Sequence, residues 1–172
     1  YDESRVRFAE METNDTWARD HGGISVVDSF GLTLYDFLIN GWGMKFAAAK
    51  DNLITRTLAA DGFFTDQVQV ANMAPFVLEG GSIESDGKGT LMTTAECLLS
   101  VNRNEYLHRE EIENYLKEVF GLKRILWIEN GYLAGDDTDS HVDTLARFCN
   151  EHTIAYVQCL DESDEHYDEL KA

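Results

Sequence analysis

The sequence predicts an α/β fold built from a repeated ββαβ unit, with successive copies arranged around a common centre. Two observations lead there. A β-hairpin followed by a helix and then a lone strand recurs along the chain, and one polar side chain precedes each hairpin: Asp20, Glu79 and His141, at intervals of 59 and 62 residues. The entries to the first two hairpins also echo each other, Gly22-Gly23-Ile24-Ser25 against Gly80-Gly81-Ser82-Ile83. A period near 60 residues fits units that cannot bury their apolar faces alone and pack on their neighbours. The alternative is an α+β domain with coincidental spacing.

Taken in order, Val6-Arg7-Phe8 has the composition of a strand. Ile24 to Asp28 and Leu32 to Phe37 flank Ser29-Phe30-Gly31 as the first hairpin. Phe46, Ala49, Leu53, Ile54 and Leu58 make a helical stripe ahead of Gly62, and Gln67 to Ala71 form an isolated strand. Pro75, the single proline, interrupts the run just before a strand that ends in Glu79. Ser82 to Ser85 and Thr90 to Thr93 flank Asp86-Gly87-Lys88-Gly89 as the second hairpin. Ile112, Tyr115, Leu116, Val119 and Phe120 then follow the spacing of one helix face, Gly121 stands where a C-cap belongs, and Arg124 to Ile128 read as a strand. A third hairpin is expected from Val142 to Phe148 and Thr153 to Gln158, turning at Asn150-Glu151. A last helix starts after Ser163, with Asp164 and Glu165 in its first turn.

With 172 residues and 44% apolar content, the chain can form one substantial core, and we read 1–172 as a single unit. Its 14 basic and 32 acidic side chains give a net charge of −18, which argues against nucleic acid or an anionic membrane surface as partner. A small cationic ligand fits this balance. Without Asp161 to Ala172 there remain 13 basic against 26 acidic side chains, so the acidity is not confined to the tail. Cys97, Cys149 and Cys159 lack any paired metal spacing and read as small hydrophobes in a reducing compartment. No apolar run approaches the roughly 18 residues of a membrane span, and nothing near the start resembles a signal peptide, so a cytoplasmic location is expected. The chain opens on Tyr1 rather than Met and reads as a piece of a longer protein whose own targeting segment is not in view. Homo-oligomerisation is left open.

The chemistry concentrates in Gly135-Asp136-Asp137-Thr138-Asp139-Ser140-His141-Val142-Asp143, which sets an imidazole among four carboxylates. On a strand, His141 and Asp143 would share one face. If Asp20 and Glu79 meet them, a guanidinium is the matching ligand: a planar cation with five donors that carboxylates can accept in parallel. His141 could then act as general acid toward a leaving amine and as general base toward water. The nucleophile is missing from this set. Trp17 lies three residues before Asp20, where its indole either covers a ligand or joins the core. Arg19 reads as a structural ion-pair donor. A calcium loop starting at Asp137 would need glycine at its sixth position, which is Val142, and a metal site of Asp139, His141 and Asp143 would have only one histidine. Of the other histidines, only His21 abuts the expected pocket; His108, His152 and His166 default to surface or structural roles.

Asn14-Asp15-Thr16-Trp17-Ala18-Arg19-Asp20, Glu79-Gly80-Gly81 and Asp139-Ser140-His141-Val142-Asp143, in this order, resemble the agmatine deiminase and bacterial-type (Porphyromonas-type) peptidyl-arginine deiminase family. The likeness runs from about Phe8 to the end. It implies membership of the guanidino-group-modifying (pentein) superfamily: a five-bladed α/β-propeller of which about two and a half modules are present, and hydrolysis of agmatine to N-carbamoylputrescine and ammonia through a covalent thiouronium intermediate. It also implies that Asp20 and Asp143 grip the guanidinium, that Glu79 orients the catalytic His141, and that Trp17 lies near the substrate chain, with no metal or organic cofactor. The acidic residues around Asp137 are expected to favour agmatine and to contribute to substrate binding. The family's nucleophile is a cysteine in a glycine-rich motif near the C-terminus of the full chain, and no such motif occurs in this sequence. This stretch alone is therefore expected to be inactive. Arginine-residue or free-arginine deimination, transfer of the amidino group to an amine, and a non-catalytic cation-binding module remain as rivals.

Overall fold

Strand pairing repeats itself in the computed structural model, which describes residues 2–171. In the first repeat, α1 (Ala18–His21) leads into β1 (Ile24–Asp28), which pairs antiparallel with β2 (Gly31–Leu38). After α2 (Gly41–Met44) and α3 (Ile54–Ala60), β3 (Val68–Val77) returns parallel to β2, with Leu32 opposite Val68. In the second, a 3₁₀ turn at Gly80–Ser82 leads into β4 (Ile83–Ser85), antiparallel to β5 (Thr90–Thr94). After α4 (Ala95–Leu98) and α5 (Arg109–Phe120), β6 (Arg124–Ile128) returns parallel to β5. A parallel return requires a crossover, and the helices supply it. The third repeat begins the same way, with α6 (Val142–Leu145) and then the hairpin of β7 (Ala146–Asn150) and β8 (Thr153–Tyr156), followed by α7 (Tyr167–Leu170). Among the described residues, two sheets of three strands and one of two result.

The hairpin turns follow from aspartates that satisfy the turn's own amides. Asp28 Oδ1 accepts the N–H groups of Phe30 and Gly31 at 2.7 and 3.1 Å, and Asp86 Oδ1 those of Lys88 and Thr90 at 2.7 and 2.9 Å. Helix α5 presents Ile112 and Leu116, both fully buried, and stops at Gly121 in the left-handed conformation. They pack with Phe37, Phe76, Leu78, Leu91 and Leu98 into a core shared by the first two sheets. Each buried Leu or Ile contributes about 1.5–3 kcal/mol. Met92, Val142 and Ala146 form a smaller cluster that joins the second and third repeats. Among the described residues, no helix is long and apolar enough to cross a membrane.

Four local expectations fail, each for a visible reason. The apolar stripe from Phe46 becomes a helix only at Ile54, because the Asn52 side chain bonds to the backbone of Ile39 and Ala48 instead of leaving the segment to helical bonding. Val142 opens a one-turn helix rather than a strand: the Thr144 amide and hydroxyl both donate to the His141 carbonyl, at 3.2 and 2.7 Å. His141 and Asp143 are therefore not alternate residues of one strand. The last helix begins at Tyr167, since Asp161 and Asp164 are used to build turns at Ser163 and His166. Val6, Arg7 and Phe8 join no strand, and Phe8 is exposed.

Candidate active site

Of the three short turns that open the repeats, α1 and α6 both pack against the third, Gly80–Ser82. That places the polar residue of each at one point. Asp20 lies within α1, Glu79 caps the 3₁₀ turn, and His141 caps α6, and all three are buried. His141 Nδ1 is 3.6 Å from Asp20 Oδ1, and its Nε2 is 3.8 Å from Glu79 Oε2. Gly81 stands at the junction: a Cβ there would lie 2.6 Å from both Asp20 Oδ1 and His141 Nδ1, and 2.9 Å from Asp143 Oδ2. Its amide donates to Asp20 Oδ1 at 2.9 Å. Asp20, His141 and Asp143 thus approach so closely because residue 81 has no side chain.

These groups border a pocket of about 690 Å³ that is also lined by Trp17, Trp42, Phe46, Asp136 and Asp137. Trp17 is exposed at this pocket, whereas Trp42 is buried and its Nε1–H donates to Asp20 Oδ2 at 3.0 Å. Asp137 is exposed and its carbonyl accepts from Lys45 Nζ. Asp136 does not face the pocket freely, since its carboxylate accepts from Thr138 and from the Ser140 amide and so shapes the loop. Asp139 pairs with Lys45 and lies 3.6 Å from Arg103 Nη1, so it forms no metal set with His141 and Asp143. A second cavity of about 410 Å³, walled by Met92, Ile128, Leu145 and Val157, contains none of these groups.

Electrostatics separates the carboxylates. Burial alone pushes the Glu79 carboxyl up, but the adjacent His141 and Arg103 outweigh it and hold Glu79 below its ordinary range. Burial raises Asp143, with the neighbouring Asp20 charge adding to it against the pull of His141, Arg19 and Arg147. Arg19 is an ion-pair donor as expected, to Glu84 at 3.4 Å and Asp143 at 3.8 Å. Glu79, Cys97 and His141 offer donor atoms within 4.8 Å of one another. The Arg103 guanidinium bonded to Glu79 opposes a cation there. Burial pushes the Cys97 thiol far up, which disfavours the thiolate that a nucleophile needs.

Sequence reasoning missed Trp42 and Arg103. Trp42 stands between Gly41 and Gly43, a flanking that could have signalled an unusual turn; all of Gly41 to Met44 have positive φ, from 55 to 76°. Arg103 lies in an irregular loop with no periodic signal, yet it is buried and its Nε donates to Glu79 Oε2 at 2.8 Å. It therefore belongs beside the pocket, where sequence alone had not put it.

The family model of Porphyromonas-type peptidyl-arginine deiminases matches residues 1–172. The chain belongs to that family. A Shewanella sp. relative provisionally named agmatine deiminase is 37% identical over 98% of this chain and 46% of its own length. One from Listeria monocytogenes, provisionally named agmatine deiminase 1, is 38% identical over 95% of this chain and 45% of its own. The chain thus spans about half the length of the curated relatives it matches. Among solved structures, a provisionally named arginine deiminase of Porphyromonas gingivalis superposes with a TM-score of 0.95 at 54% identity, covering 98% of this chain and 50% of that one. A cysteine-to-serine agmatine deiminase of C. jejuni with substrate bound superposes with a TM-score of 0.89 at 47% identity, covering 96% and 48%. The α/β fold of this deiminase family is therefore the fold of this chain.

Proposed function

We propose that this chain supplies the guanidinium-binding and proton-transfer half of a deiminase that hydrolyses agmatine to N-carbamoylputrescine and ammonia. The observation that carries the reading is the meeting of Asp20, His141 and Asp143 around Gly81, with Glu79 behind the imidazole. Asp20 and Asp143 would accept the guanidinium N–H groups and fix its central carbon. A thiolate from the remainder of the protein, on a propeller of five modules, attacks that carbon, and His141 gives a proton to the departing ammonia. Water then attacks the resulting thiouronium carbon as His141 takes its proton. The thiolate leaves, and a ureido group remains.

Agmatine is favoured over free arginine by the pocket wall. Asp15, Asp136 and Asp137 line it, and Arg19, the one arginine of that lining, already pairs with Glu84 and Asp143. Among the described residues of this lining, an α-carboxylate would find no unpaired cation. Arginine-residue deimination is the second reading, favoured by the description of the matching family and by the similarity to the P. gingivalis protein.

The test offers the intact protein agmatine, free arginine and an arginine peptide in turn, and measures ammonia and the ureido product. Agmatine should give the highest kcat/KM. His141→Ala should lower kcat about 10²- to 10⁴-fold. Equal turnover by that variant would leave only a cation-binding module, and preference for the peptide would select the second reading.

A further inference from the structure

Arg103 is a charge with no exposure: its side chain is fully buried, and it does not line the pocket. A buried guanidinium costs stability unless its donors are met, and an apolar residue in its place would often serve the fold as well. Its donors are met at three separate places. Nε donates to Glu79 Oε2 at 2.8 Å, Nη1 to the Cys97 carbonyl at 3.3 Å, and Nη2 to the Thr138 carbonyl at 2.9 Å. Thr138 belongs to the loop that ends at His141, whose amide donates to Thr138 Oγ1. Arg103 therefore joins the carboxylate behind the imidazole to the loop that carries the imidazole.

Two buried polar atoms in this region lack a hydrogen-bond partner among the described residues, Glu79 Oε1 and His141 Nε2. They belong to adjacent side chains, and Arg103 already occupies the other oxygen of Glu79. Contacts of this kind are commonly long before substrate binds and shorten in the reacting complex. A neutral imidazole carries one N–H, and whichever nitrogen donates leaves the other bare. We propose that Arg103 is the positioning residue of the site: by holding Glu79 Oε2, the oxygen that lies 3.8 Å from His141 Nε2, it sets this carboxylate against the ring as the acceptor for Nε2–H and so selects that tautomer. For the reaction rate, this rests on the deiminase reading above; for the imidazole itself it does not.

The test is ¹⁵N NMR of the His141 imidazole in the intact protein, at a pH where the ring is neutral, with kcat and KM for agmatine measured in parallel. Wild type should show the Nε2–H tautomer alone. Arg103→Gln should give mixed tautomers and lower kcat at least ~10-fold, with a smaller change in KM. Arg103→Lys, which keeps the charge against Glu79 but loses the carbonyl contacts, should restore the single tautomer and most of kcat. A merely structural role would lower the melting temperature of both variants without moving the tautomer, and would overturn the proposal. Should Arg103→Gln fail to fold, Arg103→Met decides: mixed tautomers support the assignment, and a single Nε2–H tautomer overturns it. If wild type turns over agmatine and Arg103→Gln keeps its tautomer, the positioning role alone falls. If wild type releases no ammonia while Arg103→Gln mixes the tautomers, the deiminase reading falls and the positioning role stands.

Discussion

The Gly81 amide donates to Asp20 Oδ1 at 2.9 Å, and this bond ties the first repeat to the second beside the His141 ring. The bond fixes one oxygen of Asp20, and the Trp42 indole fixes the other. A carboxylate held at both oxygens keeps its orientation when the pocket is empty. Pre-orientation of this kind lowers the entropy that substrate binding must supply.

Gly81→Ala tests that junction. Its Cβ would fall 2.6 Å from Asp20 Oδ1 and His141 Nδ1, so those two groups must separate. A displacement of about 1 Å costs about 10²-fold in rate. Steady-state kinetics on agmatine should show that loss in kcat/KM, with the far-ultraviolet circular dichroism unchanged.

Trp42→Phe removes the indole donor from Asp20 and leaves the aromatic bulk. A hydrogen bond to a charged acceptor contributes about 1.5–3 kcal/mol. KM for agmatine should therefore rise about 10- to 100-fold, more than kcat falls. Unchanged KM would mean that Asp20 does not depend on this contact.

Acidification should act on binding before catalysis. Asp143 is held above its ordinary value of 3.8 by burial and by Asp20, and Glu79 below its ordinary 4.5 because His141 and Arg103 outweigh its burial. As pH falls, Asp143 takes its proton first and the grip on a cation weakens, so KM rises before kcat drops. For the fold the signs are opposite. Glu79 contributes stability that is present above 4.5 and is lost as pH falls through its lowered value, whereas the contribution of Asp143 declines as pH rises from 3.8 through its raised one. Parallel pH profiles of KM, kcat and the urea midpoint check all three; Asp143→Asn should abolish the early rise in KM.

Leu116→Ala should destabilise without touching the chemistry. Leu116 is fully buried on α5, in the core shared by the first two sheets. Truncation there costs about 2–5 kcal/mol. The urea midpoint should fall while kcat at moderate temperature stays within about twofold, because mutations distant from a site act nearly independently of it.

The repeat was readable because Asp20, Glu79 and His141 each stand four or five residues before the first strand of a hairpin, and the first two hairpins have their own turn aspartates, Asp28 and Asp86. Period-two alternation and Gly-containing turns are local signals, so the first two hairpins and α5 could be placed from sequence. The entry turns were less legible. His141 and Asp143 meet the other groups through a one-turn helix that Thr144 stabilises, and a single threonine hydroxyl leaves no pattern in composition. Trp42 and Arg103 come from irregular segments, the first set by four consecutive positive φ angles and the second by contacts to Glu79 and Thr138 that are far apart in the chain. Tertiary contacts of that kind carry no short-range signature.

The outer rim of the third sheet has a consequence for handling. Strand β8 pairs only with β7 among the described residues, and Thr153 to Tyr156 are all exposed. Unpaired peptide groups beside Ile154 and Tyr156 offer a template for another chain. A preparation of this stretch alone should self-associate with rising concentration, and light scattering should show lysine at position 154 suppressing it.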